Sequence, residues 1–131
     1  MIRIASNTDG TEVDLSGSAF ELGDVGKTIA EWTRSDSPRL VINADTDFDP
    51  TPFEVVLCEI VLCRTCGPIR LAVQDGALQA SGSATAFAFF SPWFEFQPDA
   101  RDGYHIHFDN VWGNDYIDQS TIPLVIRCRT Q

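Results

Sequence analysis

The chain has 131 residues, 44% hydrophobic and 11% aromatic, which excludes a disordered tail and suits a single domain, residues 1–131, whose core needs no covalent staples. Nineteen acidic against nine basic residues leave a formal net charge of −10. That charge repels nucleic-acid phosphates and anionic membrane surfaces, so neither is an expected partner, and it favours encounter with a basic protein.

The opening residues Met1 to Ser6 have strand-like alternation instead of an apolar leader, and no run is long enough to span a bilayer. A cytoplasmic location is expected, and with it four cysteines held as reduced thiols. Ile2–Ser6 and Thr11–Leu15 flank Asn7-Thr8-Asp9-Gly10, the pattern of a β-hairpin. Ser18 with Glu21 three residues on has the form of a capping box. Leu22, Val25, Ile29 and Trp32 then recur along one helical face. Gly23 and Gly26 weaken the first turns, leaving a later start at Asp24 open, and Ser37-Pro38 closes the helix.

Leu40 to Asp45 alternates as a strand whose wetter face is Val41, Asn43 and Asp45, and Asp45 to Pro52 is a Pro- and Asp-rich loop. Phe53 to Arg64 is a near-continuous apolar run that reads as a buried strand, with a helix as the alternative. The opening pattern then returns. Ile69-Arg70-Leu71-Ala72, Asp75-Gly76 and Ser81-Gly82-Ser83 follow the order of Ile2-Arg3-Ile4-Ala5, Asp9-Gly10 and Ser16-Gly17-Ser18. The second Ser-Gly-Ser precedes a helical segment, Ala84 to Phe90, cut short by Pro92. Tyr104 to Asp109 takes the place of Leu40 to Asp45, aligning His105, His107 and Asp109 with Val41, Asn43 and Asp45. The expected fold is α+β, a mainly antiparallel sheet with two helices on one face. Its expected plan is two β-β-α-β repeats with pseudo-twofold symmetry, over 2–64 and 69–129, closed by strands at 53–64 and 122–129.

His105 and His107 are the only histidines, and in a strand both imidazoles share one face. They are candidate metal ligands, with Asp109 continuing the face; a metal-binding protein or metal-dependent enzyme is the alternative reading, and it needs a third ligand. The alternative to that is a pair of strand histidines on a wet sheet face. Cys63-Arg-Thr-Cys66 has Cys-x-x-Cys spacing, with Cys58 and Cys128 as further ligands were it a zinc site, but Gly67-Pro68 reads as a turn and not as the helix start that lowers a thiol pKa. Cys58 and Cys128 sit in apolar runs and read as buried small hydrophobes. Asp45-Thr-Asp-Phe-Asp49 opens like a calcium loop, yet Pro50 and Val56 stand where an EF-hand needs Gly and Glu.

Neither Ser-Gly-Ser segment has phosphate-loop spacing, so both read as helix caps. No nucleophile motif is present, no catalytic residue is assigned, and no cofactor is expected. The aromatic stretch Phe87 to Phe96 reads mostly as core. Trp112 and Tyr116 lie among carboxylates in a turn-rich loop and suit either a protein-binding surface or packing over the sheet edge. The candidate partner-binding set is therefore Asp45, Asp47, Asp49, Asp109, Trp112, Asp115, Tyr116 and Asp118.

With Tyr104-His-Ile-His-Phe-Asp109 and Ser120-Thr-Ile-Pro-Leu-Val-Ile126 in view, the C-terminal part, mainly residues 69–128, resembles small bacterial immunity proteins of polymorphic toxin systems, closest to immunity-protein family thirty-two. The resemblance implies a small α+β protein that neutralises a cognate toxin by binding it, and the acidic charge suits a basic toxin.

Overall fold

A computed structural model describes residues 1–110 and 113–130. The first hairpin joins β1 (Arg3–Ser6) to β2 (Val13–Gly17). Asn7 closes its loop, its Oδ1 accepting from the N–H groups of Thr11 at 2.9 Å and Glu12 at 3.1 Å. Ser18 then caps α1 (Ala19–Thr33). Its hydroxyl accepts from Glu21 N–H at 3.0 Å and the Glu21 carboxylate accepts from Ser18 N–H at 2.9 Å, the reciprocal pair that satisfies two orphan donors. Leu22, Val25, Ile29 and Trp32 are all buried, as their spacing predicts. Arg64 closes the other end, donating at 2.8 Å to the carbonyls of Trp32 and Ser35.

β3 (Arg39–Asn43) follows, then β4 (Val55–Leu57) and β5 (Glu59–Arg64). The run expected as one closing strand at 53–64 is thus two strands, in different sheets. The chain changes sheet at Cys58, whose N–H donates to Gly76 O and whose carbonyl accepts from Ala44 N–H. β6 (Arg70–Gln74) and β7 (Ala77–Gly82) form a second, tight hairpin. Asp75 and Gly76 both have positive φ, 55° and 74°, the backbone a two-residue turn of matching twist requires. Ser83 caps α2 (Ala84–Phe90), and Pro92 turns its end into a short 3-10 segment, Ser91–Phe94. β8 (His105–Phe108) and β9 (Leu124–Cys128) complete the chain.

The fold is α+β, with two helices and nine strands among the described residues. The strands form two mixed, mostly antiparallel sheets, ordered β4-β1-β2-β9-β8 and β3-β5-β7-β6, where a single sheet was expected. Periodicity shows which side chains share a face, but not which strands become neighbours. In the first sheet the hairpin β1-β2 is extended by β9, parallel to β2, and then by β8, antiparallel to β9. In the second, the hairpin β6-β7 is extended by β5, parallel to β7, and then by β3, antiparallel to β5. Each sheet therefore joins a hairpin from one half of the chain to two strands from the other, and the first sheet adds β4, from the hairpin's own half, at its far edge.

One apolar core draws on both sheets and both helices. Trp32 of α1 meets Phe87 of α2 edge-on at 5.0 Å, and Phe90 packs against Phe94 and Phe108 at 5.2 and 4.8 Å. Phe87, Phe90, Phe94 and Phe108 are fully buried, each contributing about 1.5–3 kcal/mol of transfer free energy. α1 also packs against the 3-10 segment, where Gly26 leaves room for backbone: a Cβ there would stand 2.8 Å from the Ser91 carbonyl oxygen. Among the described residues no helix is long and apolar enough to cross a membrane.

Candidate functional site

β8 is an edge strand of the first sheet, opposite β4. Ile106 and Phe108 turn toward the core, whereas His105 and His107 are exposed. Their rings meet edge-on with centroids 5.2 Å apart, and His105 Nδ1 is 3.0 Å from Gly103 O. Among the described residues no three His, Cys, Asp or Glu side chains come together as a metal site, so the histidines stand as two ligand groups of the three or four that a protein-built centre uses.

The strand registers give these histidines different neighbours from those the sequence alignment supplied. Arg3 pairs with Ser16, Ser16 with Arg127, and Arg127 with His105, which makes one row across the outward face of the first sheet. The matching row of the second sheet is Arg70, Ser81, Cys63 and Arg39. By register, Arg39 and Val41 hold the places of His105 and His107, two residues off from the expected Val41 and Asn43.

The acidic candidates fall into two groups on different sheets. Asp45, Asp47 and Asp49 follow β3 and are tied to the first sheet: Asp45 N–H donates to Ile2 O at 2.8 Å, and Arg3 Nε donates to the Asp45 carboxylate at 3.3 Å. Asp115, Tyr116 and Asp118 are tied to the second, where Ile69 N–H donates to Tyr116 O and Asp118 N–H to Ile69 O. Asp109, half-buried, follows β8. Trp112 lies outside the described residues. Three of these carboxylates fold their own loops as Asx turns. Hydrogen bonds hold them below the usual aspartate range: from Asp47 N–H and then Arg3 at Asp45, from the hydroxyl and N–H of Thr51 at Asp49, and from the hydroxyl and N–H of Ser120 at Asp118.

Tyr116 is the aromatic that the sequence placed among carboxylates, and it is 43% exposed. Its ring stacks on Phe89 of α2 at 5.0 Å with 24° between planes, while its backbone is pinned to the start of β6. Asn110 and Asn114 brace the loop, Asn110 Oδ1 accepting from Asn114 N–H at 2.7 Å and Asn114 Oδ1 from Tyr116 N–H at 2.7 Å.

The sequence reading passed over the arginines. Arg3, Arg127 and Arg129 line one cavity of about 320 Å³ on the outward face of the first sheet, together with Asp14 and Ser16. Alternation alone places Arg3 and Arg127 each on a strand face, but only the pairing of β9 beside β2 brings position 127 to position 14. The cysteines are all free; Cys58 is exposed, contrary to its reading as a buried hydrophobe, because it occupies the crossover between sheets, while Cys128 is buried. A scan against protein-family models and searches of curated proteins and of solved structures give no match to this chain.

Proposed function

We propose that this chain is a non-enzymatic cytoplasmic interaction protein of the bacterial immunity type, which binds and occludes a basic protein partner through its acidic loops. The observation that carries the reading is Tyr116, an exposed aromatic stacked on Phe89 and flanked by Asp115 and Asp118. A pre-positioned aromatic loses little entropy on binding, and carboxylates beside it speed encounter with a cationic surface. The net charge of −10 acts in the same direction over longer range.

The test is co-purification with the product of the neighbouring gene, at low and at raised salt. A salt-sensitive complex that Tyr116→Ala weakens by about tenfold or more, the loss typical of an interface anchor, supports the reading. A complex indifferent to Tyr116→Ala and to Asp115→Asn overturns it. The metal-binding alternative has the facing histidine rings in its favour. It requires stoichiometric metal in untagged protein, lost on His105→Ala.

A further inference from the structure

The outward face of the first sheet carries chemistry of the opposite sign from the acidic loops. Three of the chain's nine basic residues, Arg3, Arg127 and Arg129, line the same cavity. Gathering like charges is unfavourable: burial, and then the neighbouring Arg3, pull Arg129 below the ordinary arginine range. Carboxylates compensate from the flanks. Asp14 accepts from Arg127 Nε and Nη2 at 3.0 and 2.8 Å, Asp45 accepts from Arg3 Nε, and Glu21 Oε1 lies 4.0 Å from Arg129 Nη2.

Several donors are left over. Among the described residues Arg3 uses only Nε in hydrogen bonding, so both Nη groups of this partly exposed side chain are open to solvent or to a ligand. Arg127 Nη1 has a single long contact, 3.4 Å to Gly103 O. Ser16, 8% exposed, accepts from Arg129 Nε at 2.9 Å and keeps its own hydroxyl proton to donate. Ser16 sits between Arg3 and Arg127 in the cross-strand row, so these donors belong to adjacent positions. Phe48 and Phe53 supply an apolar wall, and the Arg3 guanidinium lies 5.4 Å from the Phe48 ring centre, which limits its swing.

We propose that this cavity binds a small carboxylate-bearing molecule with an apolar body, Arg3 and Arg127 donating from their Nη groups and Ser16 from its hydroxyl. The charge of the lining selects the class. The lining itself holds three guanidinium groups and two carboxylates, Asp14 and Asp49, and with Asp45 and Glu21 on the flanks no large positive excess is left, which disfavours a phosphate dianion more than a carboxylate. Planar, two-oxygen carboxylates suit paired guanidinium donors, and the volume lies within the range of small-ligand sites. The assignment does not depend on the protein partner.

The experiment is an NMR titration of the full chain with benzoate, acetate and inorganic phosphate at constant ionic strength, following the arginine Nε–H signals. Saturable shifts at Arg3, Arg127 and Arg129 are expected, with benzoate bound more tightly than acetate and acetate more tightly than phosphate. Arg3→Ala should weaken benzoate about tenfold, the cost of charge-assisted hydrogen bonds, with Arg3→Lys intermediate. Arg70→Ala, at the matching register of the second sheet, should leave it unchanged. Spectral dispersion in each variant reports that the fold persists. No saturable benzoate shift, equal affinity in a folded Arg3→Ala variant, or a preference for phosphate overturns the assignment.

Discussion

Arg127 on β9 and Asp14 on β2 stand 113 residues apart in sequence, yet two guanidinium nitrogens of Arg127 donate to a single oxygen of Asp14, at 3.0 and 2.8 Å. The bond ties the last strand to the first hairpin across a parallel pair. Asp14→Ala is expected to lower the urea-unfolding free energy by about 1–2 kcal/mol, the value of a charged hydrogen bond tempered by partial exposure. The double variant with Arg127→Ala should lose less than the sum of the single losses; full additivity would show that the pair is uncoupled.

Gly23 and Gly26 are equivalent as helix weakeners in the sequence and opposite in the fold. A Cβ at position 23 meets nothing within 4 Å, so Gly23→Ala should stabilise by up to about 1 kcal/mol. At position 26 it meets the Ser91 carbonyl oxygen at 2.8 Å and Phe94 Cβ at 3.1 Å. Overpacking of about 1–3 kcal/mol then outweighs the propensity gain, and Gly26→Ala should melt lower than the parent.

Arg64 is expected to be poorly replaced by lysine. Its Nη groups donate at 2.8 Å to Trp32 O in the last turn of α1 and to Ser35 O just past the C-cap, and its guanidinium lies 4.9 Å from the Trp32 ring centre. A lysine ammonium cannot reproduce the planar fork. Arg64→Lys should therefore cost about 1–2 kcal/mol in thermal or urea unfolding, and retention of full stability would refute the capping role.

Glu21 gives the acid limb of stability a defined sign. Its carboxylate accepts from the Met1 amino group and from Ser18 N–H, in that order of influence, and both hold it below the ordinary glutamate range. A depressed folded value means that the contribution is complete above about pH 4.3 and is lost as pH falls through the folded value. Urea midpoints measured down the acid range should therefore fall less steeply in Glu21→Gln than in the parent. Ser18→Ala, which removes the other half of the capping box, should cost about 1 kcal/mol at neutral pH.

Thiol alkylation should separate the cysteines by position. Cys58 and Cys66 are exposed and should react first, Cys63 more slowly, and Cys128 only on the timescale of opening of the first sheet. Mass spectrometry of partly alkylated protein gives the order, and early labelling of Cys128 would contradict the placement of β9.

Local patterns carried a good deal of this. The capping box at Ser18 and Glu21, the apolar stripe from Leu22 to Trp32, the Asp75-Gly76 turn and the inward and outward faces of β8 are all short-range, because each depends on hydrogen bonds or periodicities within a few residues. Asp45 and Asp118, read from the sequence as partner-binding residues, each accept from the backbone two residues on, a bond as local as these. Strand alternation also made Arg3, Ser16 and Arg127 outward-facing. That they form one row, with His105 at its end, was decided by the tertiary structure, since pairing between distant strands depends on how the whole apolar surface is buried. The break at Cys58 has the same origin: an apolar run specifies burial, whereas its division between two sheets follows from where the neighbouring strands stand.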